Sequence, residues 1–444
     1  MRQHQSPDGP DQPAWLDAVL ARNAPAAYLR RFGSPTSLQA FRESIPVTTH
    51  DALAPWLDRV AGGEPDVLFV GRPCAYESTG GSSGGSKLIP YTTEGLEAFE
   101  AALAPWLANV VSRFGVSGSV YLATSPATRP ALQIGDTPLG LPDGAYLGAR
   151  WGEWAARHSA VPLDVARETS VEVWRERTLT YLAAAHDLEM VSVWSPTFLL
   201  KLLDDLPEAR EMWPRLKLVS CWTSGASRRT AAELGARLPH AHLQPKGLMS
   251  TECVVTVPDT RDRPALNAHG FFEFERDGHI LLAEDLEQGA QYEVIATTAS
   301  GLYRYRTGDL VLCKGFADTA TPVLEFQGRT GIVSDLVGEK LVEAFAQDAL
   351  DVVPGWTFLT VQPGGAGYAV VTEAGMPVDL AAIDARLKRN PQYAYAALLN
   401  QLKPLVHRPV ERLYDRFVDF RLAQGARLAD IKLLALIPEA GWIE

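Results

Sequence analysis

Cysteine is scarce in this 444-residue chain: its four, Cys74, Cys221, Cys253 and Cys313, lie far apart and form no CxxC pair. That spacing argues against a disulfide scaffold or a thiolate zinc site and predicts isolated thiols in a reducing, cytoplasmic setting. Positive charge is also in short supply, with 41 Lys and Arg against 53 Asp and Glu, a balance that gives no sign of a nucleic-acid partner. No apolar run reaches the roughly 18–20 residues that cross a bilayer, so no membrane partner is expected. The opening "MRQHQSPDGPDQPAW" has no apolar signal core and reads as a frayed tail over residues 1–15.

What the chain does have is a 46% hydrophobic composition over a length that suits two or more domains. Short apolar runs ("DVLFV", "SVYLAT", "LEMVSVWSP", "LKLVSCWTSG") alternate with helix-like stretches such as "TEGLEAFEAALAPWLANVVSRF". That alternation predicts layered α/β structure with buried strands. From about Gly270 the texture becomes strand-rich, with turn signals at Asp277-Gly278 and Ser300-Gly301, as in a small antiparallel sheet or barrel. Beyond Asp335, a helix in "EKLVEAFAQDAL", a hairpin in "WTFLTVQPGGAGYAVVTEAG" and two further helices, near "DLAAIDARLKRN" and "QYAYAALLNQLKPLV", predict an α+β domain. The expected division is 16–334 for a large N-terminal domain and 335–444 for a small C-terminal one.

The stretch "YESTGGSSGGSKLIPYT" is the most unusual: glycine, serine and threonine alone fill positions 78–86 before Lys87. Glycines let backbone N–H groups turn inward around an anion; Thr79, Ser82, Ser83 and Ser86 add hydroxyls, and Lys87 a mobile cation. Phosphate suits all of these. A plain flexible linker is the alternative, weakened by a strand-like run before the loop and a helix after it. The Walker A pattern is not met. Gly80 and Gly85 have its spacing, but Ser86 stands where its lysine belongs and Leu88 where its magnesium-binding hydroxyl belongs.

Two later motifs carry charge. "KGLMSTEC" sets Glu252 after two hydroxyl residues, where it suits either a magnesium ligand or the first turn of a helix. In "GLYRYRTGDLV", Tyr303 and Tyr305 are expected on one strand face and Arg304 and Arg306 on the other, with a Gly308-Asp309 turn presenting Asp309 to a ribose. A charged strand ending in an ordinary turn is the alternative. Arg329, in "FQGRTG", is a further cation after a strand.

In this order, "TGGSSGGSK", "WTSGAS", "GLMSTE", "YRTGD" and "GR" resemble the core motifs of the adenylate-forming superfamily of acyl-CoA synthetases, luciferases and adenylation domains. "SKLIPYT", "VWSPTFLLKLL", "SGLYRYRTGDLV", "DLVGEKL" and "NPQYAYA" are similar to one branch, the Gretchen-Hagen-type, auxin-responsive acyl acid amido synthetases and their bacterial relatives. The likeness runs from about Phe41 to the end of the chain.

The resemblance implies an adenylate-forming N-terminal domain with a small β-rich subdomain and a C-terminal α+β domain that swings between half-reactions. It implies ATP and Mg²⁺, with the phosphates gripped by Thr79, Ser82, Ser83 and Lys87, the adenine near Gly225, Ala226 and Ser227, the metal at Glu252, the ribose at Asp309, and Arg329 at the hinge. Trp194, Ser195, Pro196 and Thr197 would lie near the acyl group, although a packed core aromatic is an equal reading of Trp194. Lys432, in "ARLADIKLLAL", corresponds to a lysine that reaches the adenylate, or is a solvated surface residue. Two departures stand out: Gly81 occupies a place where relatives carry a hydroxyl, and "STEC" replaces an aromatic-small-small-Glu pattern.

The implied reaction joins a small carboxylic acid, activated as acyl-AMP, to an amine, with an amino acid expected. The alternatives are a thioester-forming ligase using coenzyme A or a carrier protein, and a nucleotide-binding protein without catalysis.

Overall fold

The computed structural model describes residues 11–79, 87–123, 126, 132–141, 143–317, 321–364, 367–424, 426, 428, 431–438 and 441–443. Four short strands, Ser119–Leu122, Leu188–Ser192, Leu218–Cys221 and His242–Pro245, form a parallel sheet in that order. The two inner strands are buried along their whole length, so they show no alternation of buried and exposed positions, and the buried Glu189 among them is paired with Arg215 and Lys217. Helices Val171–Ala184, Pro196–Leu203 and Arg228–Arg237 connect these strands and cover the sheet, enclosing a core around Trp174, Trp213, Leu199 and Val219.

The second layer is a seven-stranded antiparallel sheet. Its hairpin at Asp277 and Gly278 has φ of 53° and 80°, the two left-handed residues that a type I′ turn requires. Its central strand, Tyr305–Phe316, continues past Gly308 and Asp309 with a bulge, Gly308 at φ of 78°, instead of turning back, and Asp309 sits inside a ladder. The expected alternation of Tyr303 to Arg306 also fails at one residue. Arg304 has φ of 46° and turns inward, where it is bound by Glu273 at 2.7 and 3.0 Å and donates to the carbonyls of Arg42 and Ile45 at 2.8 Å each. Both partners of this pair are buried, so losing one of them costs about 3–5 kcal/mol.

The run preceding the Gly-rich stretch is not a strand. Val67, Leu68 and Phe69 of "DVLFV" are buried in irregular backbone, and the strand that enters the stretch is Ala75–Thr79. It pairs antiparallel with Lys87–Tyr91, Thr79 opposite Lys87, so the Gly-rich stretch joins the two arms of a hairpin. The long helix Thr93–Phe114 follows, capped by Thr92. The expected tail is shorter than 1–15: helix Gln12–Asn23 begins inside it, and Gln12 both donates to the Asn267 carbonyl at 2.9 Å and accepts from the Phe272 N–H at 3.2 Å.

C-terminal residues form their own core, with Leu341, Ala346, Leu359, Val370, Ile383 and Leu436 at its centre. The hairpin Thr357–Val361 and Gly367–Glu373 carries a third, parallel edge strand, Lys403–Val410, where the sequence reading continued a helix through "LKPLV". Among the described residues, no helix is long and apolar enough to cross a membrane.

Candidate active site

The parallel sheet sets the site. Ligands in such sheets bind outside the carboxyl ends of the strands, and here those ends are followed by Trp194, Trp222 and Lys246. The Trp194 and Trp222 rings lie 6.0 Å apart, and the Trp222 N–H donates to the Trp194 carbonyl at 2.9 Å. Lys432, exposed on the C-terminal body, holds its Nζ 5.3 Å from the Trp222 ring centre. Thr197, at the start of its helix, and Ser195 before it are buried, and among the described residues their hydroxyls have no hydrogen-bond partner. Gly225, Ala226 and Ser227 form a single 3₁₀ turn before helix Arg228–Arg237. Gly225 takes φ of 56°, and any Cβ there would stand 3.2 Å from the Phe326 ring, so glycine is required where this turn meets the strand that ends in Arg329.

Glu252 does not start a helix. Met249 bridges to Val254, and Ser250 closes the turn on Cys253 with N–H···O at 2.9 Å, leaving Glu252 at the tip yet buried. The Tyr91 hydroxyl, at the far end of the second hairpin arm, donates to the Thr251 carbonyl and ties this turn to the strand that begins with Lys87. Thr79 ends the first arm; Ser82, Ser83 and Gly81 lie outside the described residues.

Asp309 and Arg329 face each other across the ladder, with Nε 3.1 Å from Oδ1. Arg329 also donates to the Thr307 carbonyl at 2.9 Å. Asp309 is buried, and among the described residues its Oδ2 has no hydrogen-bond partner, so it has acceptor capacity to spare. Asp309 is the main influence raising the Arg329 pKa, with Glu252 and Glu343 adding to it. The three carboxylates therefore converge on one guanidinium.

Two members of this cluster escaped the sequence reading. Glu343, at the start of helix Glu343–Leu350, accepts from the Arg329 N–H at 3.2 Å and from the Ala435 N–H at 3.3 Å, joining the end of the Arg329 strand to the C-terminal residues. Burial raises its carboxyl to about 7. His50 is held below its ordinary pKa first by burial and then by Lys87, while Glu252 acts in the opposite sense, so both charges reach one ring. The segment before His50 is placed by Thr48, which bridges to Tyr305. Nothing in "VTTHD" distinguishes His50 from a residue after a helix cap. Only the "GEKL" motif pointed near Glu343.

No group of three or more His, Cys, Asp or Glu side chains among the described residues is arranged to hold a metal. A nucleotide-bound magnesium takes one or two carboxylates from protein and the rest from phosphate and water, and the single buried Glu252 fits that smaller demand.

Residues 10–210 match the GH3 family N-terminal domain and residues 264–329 the GH3 family central domain. The indole-3-acetic acid-amido synthetase GH3.15 of Arabidopsis thaliana is 25% identical over 419 residues, spanning 75% of this chain and 70% of that one. The solved structure of a GH3.15 acyl acid amido synthetase superposes with a TM-score of 0.80 at 19% identity, covering 97% and 91% of the two chains. A 2-hydroxyisobutyryl-CoA ligase in its postadenylation state gives 0.59 at 15% identity, over 99% and 95%. With the N-terminal and central GH3 domains in order along one such fold, the chain belongs to the GH3 family.

Proposed function

We propose that the chain activates a carboxylic acid with ATP and passes the acyl group to an amine, an amino acid being the expected acceptor. It is an acyl-adenylate-forming ligase of the amido synthetase type. In the first step a carboxylate oxygen attacks the α-phosphorus, and the bond to the β-phosphate oxygen breaks, releasing pyrophosphate. In the second, the amine nitrogen attacks the acyl carbonyl, loses a proton, and AMP departs. Neither step needs a covalent enzyme nucleophile; positioning and charge neutralisation carry both.

Lys87 and the Gly-rich loop with Thr79, Ser82 and Ser83 receive the phosphates in this reading. Asp309 accepts from the ribose hydroxyls through its Oδ2, and Arg329 orients Asp309 through its Oδ1. Gly225 to Ser227 border the adenine, while Trp194 and Thr197 border the acid. Glu252 would hold Mg²⁺, which when bound neutralises phosphate charge. The carrying observation is the convergence of Glu252, Asp309 and Arg329, from separate strands and a turn, beside the hairpin arm that begins at Lys87.

The C-terminal domain, 335–444, is proposed to move between the two steps. Its contacts with the larger body include polar ones, such as Arg229 to the Leu350 carbonyl at 2.6 Å and Arg228 to Asp351 at 3.5 Å, and polar interfaces permit such motion. Lys432 rides on that domain and reaches the acyl site. A chase experiment tests the sequence of steps: acyl-AMP formed from ATP and an acid is isolated with the enzyme, then offered amino acids or coenzyme A. Conversion to an acyl amide supports the reading; conversion only to a thioester favours the coenzyme A alternative.

A further inference from the structure

Lys246 has no role in the reaction above, yet it lies at the carboxyl edge of the parallel sheet, directly after the His242–Pro245 strand. It is nine-tenths or more buried. Among the described residues its Nζ has one hydrogen-bond partner, the Ser192 hydroxyl at the end of the neighbouring-but-one strand. Two indoles flank it, Trp194 with its ring centre at 4.9 Å and Trp106 at 5.3 Å. Among the described residues no carboxylate pairs with it. An ammonium needs three acceptors, and ring faces with one hydroxyl supply less than water did. Burial accordingly lowers its pKa to about 7, a cost that the buried Cys221 thiol offsets only in part. An apolar residue of the same length would fill this space without the penalty.

The indoles also locate it relative to the reacting groups. Trp194 lies between Lys246 and Trp222, and Trp222 lies beneath Lys432. One lysine thus approaches the tryptophan pair from the mobile body and the other from the floor of the sheet. An acid lying along Trp194 with its activated carboxylate toward the nucleotide would point its far end at Lys246.

We propose that Lys246 is a specificity-determining residue of the acyl site, and that the preferred acid carries a second oxygen function, a carboxylate, at the end remote from the one that is activated. This rests on the adenylating reading above. The ligand's remote carboxylate completes the hydrogen bonding of the ammonium, and the two indoles clasp the carbon skeleton between the two ends.

The test uses isosteric pairs: terephthalate against para-isopropylbenzoate, and adipate against the analogue in which its remote carboxylate is an isopropyl group. Binding is followed by quenching of tryptophan fluorescence, and activation by ATP–pyrophosphate exchange, for the whole chain and for Lys246→Met. The wild type is expected to favour the diacid of at least one pair by about tenfold or more, in Kd and in KM rather than kcat. Lys246→Met is expected to erase or reverse that ratio while still binding the isopropyl acid. A wild type that favours the isopropyl acids, or binds neither diacid, overturns the proposal, as does an unchanged ratio in the variant. Absence of exchange with every acid would sink the adenylating reading instead, and the binding ratio would still decide the role of Lys246.

Discussion

Asp309 and Arg329 stand opposite one another in adjacent strands, and their ion pair uses one oxygen of the carboxylate, leaving the buried Oδ2 without a donor among the described residues. The arginine orients the acid and the remaining oxygen waits for a ligand. Asp309→Asn is therefore expected to weaken ATP binding by about ten- to a hundredfold, the worth of charge-assisted hydrogen bonds. The half-buried guanidinium also loses its counter-charge, so a stability loss of roughly 1–3 kcal/mol should accompany it. Arg329→Ala should weaken ATP binding less, because it removes the orienting group and leaves the accepting one. Calorimetric titration with ATP and a thermal melt of each variant check both statements; equal affinity in Asp309→Asn and the wild type would contradict the first.

Lys87 begins the second arm of the hairpin and is only half buried, so its removal should spare the fold. Lys87→Met is expected to slow pyrophosphate exchange by about a hundred- to a thousandfold, the effect of losing one donor aimed at developing charge. An unchanged melting temperature with unchanged exchange would remove Lys87 from the phosphate site.

Glu343 gives the hinge a pH dependence. Its folded carboxyl is raised to about 7 from 4.5, so the folded chain holds a proton that the unfolded chain has released between those values. Stability from this group is full below the lower value and is lost as pH rises through the upper one. Glu343→Gln cannot ionise, so its stability relative to the wild type should improve between about pH 5 and about pH 8. Thermal melts at the two pH values measure the change; a constant difference would mean that Glu343 is already ionised in the folded state.

Lys246 works in the opposite direction. Its folded pKa of about 7 lies below the ordinary 10.5, so the unfolded chain binds the extra proton over that interval and wild-type stability gains as pH rises through it. The penalty is fully present below about pH 7, and there Lys246→Met should be the more stable protein. The advantage should shrink toward about pH 10, and chemical denaturation at both ends checks it. A variant less stable than the wild type at the lower pH would show that the lysine is better paired than its surroundings indicate.

The sequence disclosed groups that carry their own punctuation and hid those that depend on convergence. Asp309, Arg329 and Glu252 sit in short motifs rich in glycine and hydroxyls. Their meeting is a matter of ladder register and of one turn closed by Ser250, which no spacing along the chain encodes. His50, Glu343 and Lys246 come from a helix start, a later helix start and a strand end. Each looks ordinary until the three-dimensional structure brings its partners.

Similar physics explains the misread elements. Val67 to Phe69 are apolar because they fill the core beside Tyr28 and Tyr303, and burial without a ladder has the same composition as a strand. Lys403–Val410 contains Pro404 and Pro409, which an edge strand tolerates and a helix does not; the reading that carried a helix into it weighed the preceding "AYAALL" too heavily. Arg304 turned inward because the buried Glu273 offered two oxygens, a pairing 31 residues away along the chain.

The most direct measurement is carboxylate-dependent ATP–pyrophosphate exchange over a panel of aryl, indolyl, fatty and dicarboxylic acids, each repeated with amino acids and with coenzyme A. The account predicts exchange with at least one class of acid, and AMP release coupled to amide formation when an amino acid is added. Thioester formation with coenzyme A and no amide, or bound ATP with no exchange for any acid, would contradict it.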